Sequence, residues 1–161
     1  MIFDPFNLTG FHTDLSLIAL VSGLVVVIGL ILSKRLGRWT ALYLATAVLT
    51  SATGFLFHSA SFGPSHWLGV FSLIVLVPAI LARYFFHLAG SWRWVYAAGA
   101  VTALFFLVFV AIAQAFMKIP ALHPLAPTGS EPPFAIAQLV NLAVFLVLGF
   151  LAVRRFRYQR V

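Results

Sequence analysis

At 161 residues, 63% hydrophobic and only 8% charged, the chain is far too apolar for a water-soluble domain, where about a quarter of residues carry charge. A net charge of +7 would suggest nucleic acid in a soluble protein; at a mean hydropathy of +1.08 it has a plainer cause, the basic bias of cytoplasmic loops, and no nucleic-acid partner is expected. Cysteine is absent, which excludes disulfides, iron–sulfur clusters and thiolate metal sites.

A bilayer leaves only helices or a closed barrel, because every backbone polar group must be paired within the protein. The apolar runs are about 20 residues long, the length of a spanning helix; barrel strands need about 10 and alternate. The expectation is an all-α polytopic membrane protein, a five-transmembrane-helix bundle forming one integral domain over residues 1–161. The opening MIFDPFNLTGFHTD holds no basic residue, unlike the charged start of a cleavable signal peptide.

The first helix is expected over about 13–33, capped by Thr9 or Thr13, with Asp14 in its first turn where the helix dipole favours an acid. Ala19 and Gly23 are four apart and would let another helix approach closely. The second, about 39–58, opens on Trp39 and Tyr43 at headgroup level. It is unusually small and polar (Ala45, Thr46, Thr50, Ser51, Thr53), which suits the bundle interior.

Gly54 to Gly69, GFLFHSASFGPSHWLG, reads as a turn carrying His58 and His66 at neighbouring helix ends. The third helix, about 65–88, has Pro78 in its middle, where the missing N–H should kink it; Arg83 and His87, four apart, should share a face near its far end. The fourth, about 92–117, begins after Ser91 with the belt residues Trp92, Trp94 and Tyr96, and carries Gln114 near its end. A proline-rich outer loop at 118–132 contains His123 and Glu131. The fifth, about 133–153, carries Gln138 and Asn141 on one face.

Five spans put the termini on opposite sides. Lys34, Arg35, Arg38, Arg83, Arg93, Arg154, Arg155, Arg157 and Arg160 fall at one end and only Lys118 at the other. The basic end is expected to be cytoplasmic, with the N-terminus outside, the C-terminus inside and the protein in the cytoplasmic (inner) membrane.

That orientation gathers His12, Asp14, His58, His66 and Glu131 at the outer end, with Gln114, Gln138 and Asn141 one to two turns deep. Polar groups at membrane depth face the interior or a wet cavity, so a polar pocket open to the outside is expected. Imidazole with carboxylate is a ligand set for zinc, iron or copper, and paired imidazoles on two helices can ligate a haem b. His12, Asp14, His58 and His66 are the candidate metal ligands; Gln114, Glu131, Gln138 and Asn141 would line the pocket. A quinone headgroup could instead bind between a histidine and the Gln/Asn group.

The leading expectation is a transition-metal or haem site serving redox or metal-dependent chemistry. The alternative is a non-enzymatic subunit of a larger membrane complex, or a homo-oligomer, that binds lipid or quinone. The spacing matches no sharp metal motif, and whether the chain is an enzyme is not decided by its sequence. The Arg154 to Arg160 run is explained first by topology and secondly by anionic lipid.

Overall fold

In a computed structural model the described residues, 7–34, 36–57 and 63–157, are helical throughout apart from short connections. Five α-helices follow one another: α1 Leu8–Ile31, α2 Gly37–Gly54, α3 Pro64–Ile80, α4 Trp92–Lys118 and α5 Pro132–Arg155. A π-helical turn, Leu81–Phe85, continues α3, and a 3-10 turn, His123–Leu125, sits between α4 and α5. Four of the helices are long and apolar enough to cross a membrane: α1, α3 with its π turn, α4 and α5. The chain thus has the composition and helix lengths of a membrane protein.

The helices alternate in direction. Leu30 of α1, Thr40 of α2, Arg83 after α3, Tyr96 of α4 and Phe156 after α5 surround one small space at the basic end. Neighbours in sequence pack together, and α4 also runs against α1, which makes it the central helix. Its buried stripe, Tyr96, Ala97, Ala100, Val101, Ala103 and Leu104, is half alanine, so neighbouring backbones come close.

α1 begins five residues earlier than its sequence pattern suggests. Asn7 is the cap, its side-chain oxygen accepting from Gly10 N–H at 2.7 Å, whereas the Thr13 hydroxyl bonds back to the Thr9 carbonyl at 2.7 Å. Asn is among the best N-caps, and here it takes the role that the sequence pattern gives to Thr9 or Thr13. The helix ends in a Schellman turn: Ser33 N–H reaches Leu30 O at 3.1 Å and Lys34 N–H reaches Gly29 O at 2.8 Å, with Ser33 at φ 53°. Ala19 and Gly23 lie in the core; a Cβ on Gly23 would stand 2.7 Å from Leu104 and 2.8 Å from Tyr43.

α2 ends at Gly54 rather than near residue 58, and Phe55 and Leu56 form a turn. Its polarity belongs to the interior as expected, with Thr40, Thr46, Thr50, Ser51 and Thr53 buried. Thr46, Ser51 and Thr53 return their hydroxyl protons to carbonyls four residues back. Tyr43 and Tyr96 are not belt residues but core ones, 0% and 2% exposed. Each phenol finds an internal partner: Tyr43 donates to the Ala100 carbonyl at 2.8 Å, and Tyr96 pairs with Thr40 at 3.1 Å. Trp39 and Trp94 stay exposed.

Pro78 lies inside α3, and the helix widens into the π turn three residues later, at Leu81. Helix geometry then stops, so Arg83 and His87 do not share a face. Arg83 lies over the Tyr96 ring at 5.7 Å, while His87 adopts φ 49° and its Nδ1 pairs with the Phe85 carbonyl at 2.8 Å. Phe86 stacks flat on Trp92 at 3.8 Å and closes the corner into α4.

Candidate functional site

The end of the bundle away from the basic loops brings together α1's start, α2's end and α3's start. His12 is half-buried against α2. Its Nδ1 lies 2.8 Å from Thr53 Oγ1, and its ring meets Phe57 edge-on at 5.1 Å. Thr53 has one hydroxyl proton, which it gives to the Leu49 carbonyl at 2.8 Å. The His12 bond therefore needs the proton on Nδ1, which leaves the Nε2 lone pair as the basic site of that ring.

His66 lies on the other side of the α2 end. Its ring tilts on Phe55 at 6.0 Å, and its Nδ1 accepts from Gly63 N–H at 3.3 Å, closing the first turn of α3. The two imidazoles thus meet different aromatic residues of the segment that follows α2. Asp14 is half-buried on α1, and His58 lies outside the described residues. Among the described residues no group of three or more His, Asp or Glu side chains could hold a metal ion.

Of the four expected pocket residues, Gln114 and Glu131 stand apart. Gln114 is exposed on α4. Glu131 turns back on its own loop: Oε1 accepts from Thr128 N–H at 3.0 Å and from the Thr128 hydroxyl at 2.9 Å, and Oε2 accepts from Ser130 N–H at 3.0 Å. Partial desolvation acts upward on this carboxyl; the bonds from Thr128 and Ser130 outweigh it and hold it below its ordinary value of 4.5. A depressed folded value means that the turn's stabilisation is complete above the ordinary value and fades as pH falls through the depressed one. Backbone amide shifts of Thr128 and Ser130 should accordingly titrate with a midpoint below 4.5. A midpoint above it, or no titration, would contradict this assignment.

Gln138 and Asn141 do come together, on a different face from the histidines. α4 and α5 run antiparallel, and their contacts form a ladder: Phe116 against Phe134 at 5.6 Å, the Phe109 carbonyl accepting from Gln138 Nε2 at 3.0 Å, and Phe105 against Phe145 at 5.8 Å. Asn141 stands between Gln138 and Phe145 on the same face of α5. It is 6% exposed.

Four buried side-chain atoms among the described residues have no hydrogen-bond partner: Thr50 Oγ1, Arg93 Nε, Gln138 Oε1 and Asn141 Nδ2. Two of the four sit three residues apart on one helix face. One is an acceptor and the other a donor. An unpaired buried polar group costs about 1–3 kcal/mol, so a complementary pair among five phenylalanines is an arrangement that a ligand would complete.

The phenylalanine spacing was the available signal for this seam. Phe105, Phe109 and Phe116 repeat at helical intervals on α4, as do Phe134 and Phe145 with Gln138 and Asn141 on α5. Comparison with protein-family models, curated proteins and solved structures gives no match.

Proposed function

We propose that all five helices cross the cytoplasmic membrane with the N-terminus outside, and that the α4–α5 seam binds the head of a membrane-dissolved quinone. The bundle alternates in direction, and among the described residues seven of the eight Lys and Arg belong to loops and helix ends on one side. That pattern supports a cytoplasmic basic end. α2 is the most polar helix, but its 18 residues reach about 27 Å, close to the roughly 30 Å of a hydrocarbon core.

The quinone reading rests on one observation, the unpaired Gln138 Oε1 and Asn141 Nδ2 in an aromatic seam. A quinone carbonyl accepts a hydrogen bond, which Asn141 Nδ2 supplies. The reduced form carries a hydroxyl, which Gln138 Oε1 accepts. The ring packs against phenylalanine faces and the isoprenoid tail remains in lipid. Binding of this kind fits a non-enzymatic subunit or carrier within a larger membrane assembly.

Native mass spectrometry of the detergent-purified chain with a short-chain benzoquinone is the test. One quinone retained per chain is expected, with less than a tenth of that occupancy for an apolar hydrocarbon of the same tail. Equal retention of both would remove the reading.

A second reading, a metal or haem site on His12, Asp14, His58 and His66, is favoured by the His12 tautomer, whose Nε2 is the nitrogen a metal would take. Stoichiometric metal or a haem absorption band in the same purified sample would support it.

A further inference from the structure

A wide cleft lies at the opposite end from His12 and His66 and away from the quinone seam. It is a hollow of roughly 490 Å³ between the C-terminal ends of α1 and α5. Its walls are of two kinds. Ile31, Leu32, Phe150 and Leu151 form an apolar side, and Arg154, Arg155 and Arg157 form a cationic one.

The basic side is held in place. Ser33, in its left-handed turn, donates its hydroxyl to the Arg155 carbonyl and accepts from Arg157 N–H at 3.2 Å. Arg154 lies across the Phe150 ring at 5.5 Å, which lines its stem along the apolar wall. One serine thus ties the end of α5 to the end of α1 and fixes the rim of the cleft.

The charge there is not compensated by the described acids. Asp14 is near the other end of α1, more than about 25 Å away along the helix, and Glu131 precedes the first turn of α5, more than about 30 Å away. Three guanidiniums therefore share one rim without a carboxylate among the described residues, at the level where a helix end meets lipid headgroups. Guanidinium forks match phosphate oxygens in bidentate geometry, and the apolar wall below them matches an acyl chain. A soluble phosphate compound would use the rim and leave the wall idle.

We infer that this cleft is a binding site for an anionic phospholipid, its phosphate held by Arg154 and Arg157 and its acyl chain laid along Phe150, Leu151 and Ile31. The site would fasten the bundle to acidic lipid and is independent of the quinone seam.

The test is native mass spectrometry of the delipidated full chain offered phosphatidylglycerol, phosphatidylcholine of the same acyl length, or inorganic phosphate. One phosphatidylglycerol per chain is expected, at least tenfold preferred over phosphatidylcholine, with inorganic phosphate held at least tenfold more weakly. The double variant R154Q/R157Q should lose at least tenfold in phosphatidylglycerol retention, while R38Q/R93Q, equal in charge lost, should stay within twofold. Equal retention of the two lipids, equal losses in the two variants, or phosphate held as well as lipid would each overturn the inference. The unmodified chain gives a further readout: 0.5 M salt should weaken retention severalfold, and salt-insensitive binding would also overturn it.

Discussion

Replacing Asn141 with leucine should make the protein more stable and should abolish quinone retention. The two side chains are similar in size, so the α4–α5 packing survives. What disappears is a buried donor, Nδ2, that has no partner among the described residues. Removing such a group is worth roughly 1–3 kcal/mol, which a thermal melt in detergent resolves. Stability and binding should therefore move in opposite directions. That opposition is the mark of a site whose polar group is kept at a stability cost because something binds to it. A variant that melts lower than the parent would mean that the protein itself satisfies Asn141, and the seam would lose its reason for a ligand. Gln138→Leu should behave less cleanly, because Gln138 also donates to the Phe109 carbonyl and that bond would be lost.

The largest loss of stability should come from Gly99→Leu. A Cβ at Gly99 would stand 2.8 Å from the Ala79 Cβ and 3.3 Å from the Val75 carbonyl oxygen. Neither obstacle is the loose end of a side chain: one is a methyl fixed to its backbone and the other is backbone itself. α3 would have to move off α4 as a body, next to Pro78. Overpacking of this kind costs about 1–3 kcal/mol for a single added methyl and more for leucine. Gly99→Ala should lower the melting temperature measurably, and Gly99→Leu should prevent the folded chain from accumulating in membranes. A Gly99→Leu protein that melts like the parent would show that the α3–α4 contact is looser than described. Gly23→Ala is expected to be milder, because its nearest neighbours, Leu104 and the Tyr43 ring, are side chains.

The helices were legible because a bilayer leaves so few alternatives. Apolar runs of about 20 residues separated by basic or proline-rich stretches specify helices almost unaided. The interior character of α2 was also readable, since a membrane helix rich in Thr, Ser and Ala packs against protein. Helix boundaries were less so: the Asn7 cap of α1 and the early stop of α2 at Gly54 are local events, which the longer hydrophobic pattern hides.

The site was legible in depth and not in direction. Counting residues from a helix end says how far into the membrane a side chain lies. It does not say which way the helix is rotated about its axis. His12, Gln138 and Asn141 were assigned to one end on that count. The order of packing then decided their company, with α1 turning His12 to Thr53 on α2 and α5 turning Gln138 to Phe109 on α4. Tyr43 and Tyr96 were assigned to the belt for the same reason: their residue type suits an interface, but their faces point inward and both hydroxyls are met there. Glu131 shows a further limit, because a carboxylate beside Thr128 and Ser130 is consumed by its own turn before any histidine can use it.

The most direct measurement is photo-crosslinking of the purified chain in lipid nanodiscs with an azido-benzoquinone, followed by peptide mapping. Labels should fall between Phe105 and Phe116 on α4 and between Phe134 and Phe145 on α5, and Asn141→Leu should remove them. Labels concentrated around His12 and His66, or spread along the lipid-facing surface regardless of Asn141, would contradict a quinone site in the α4–α5 seam.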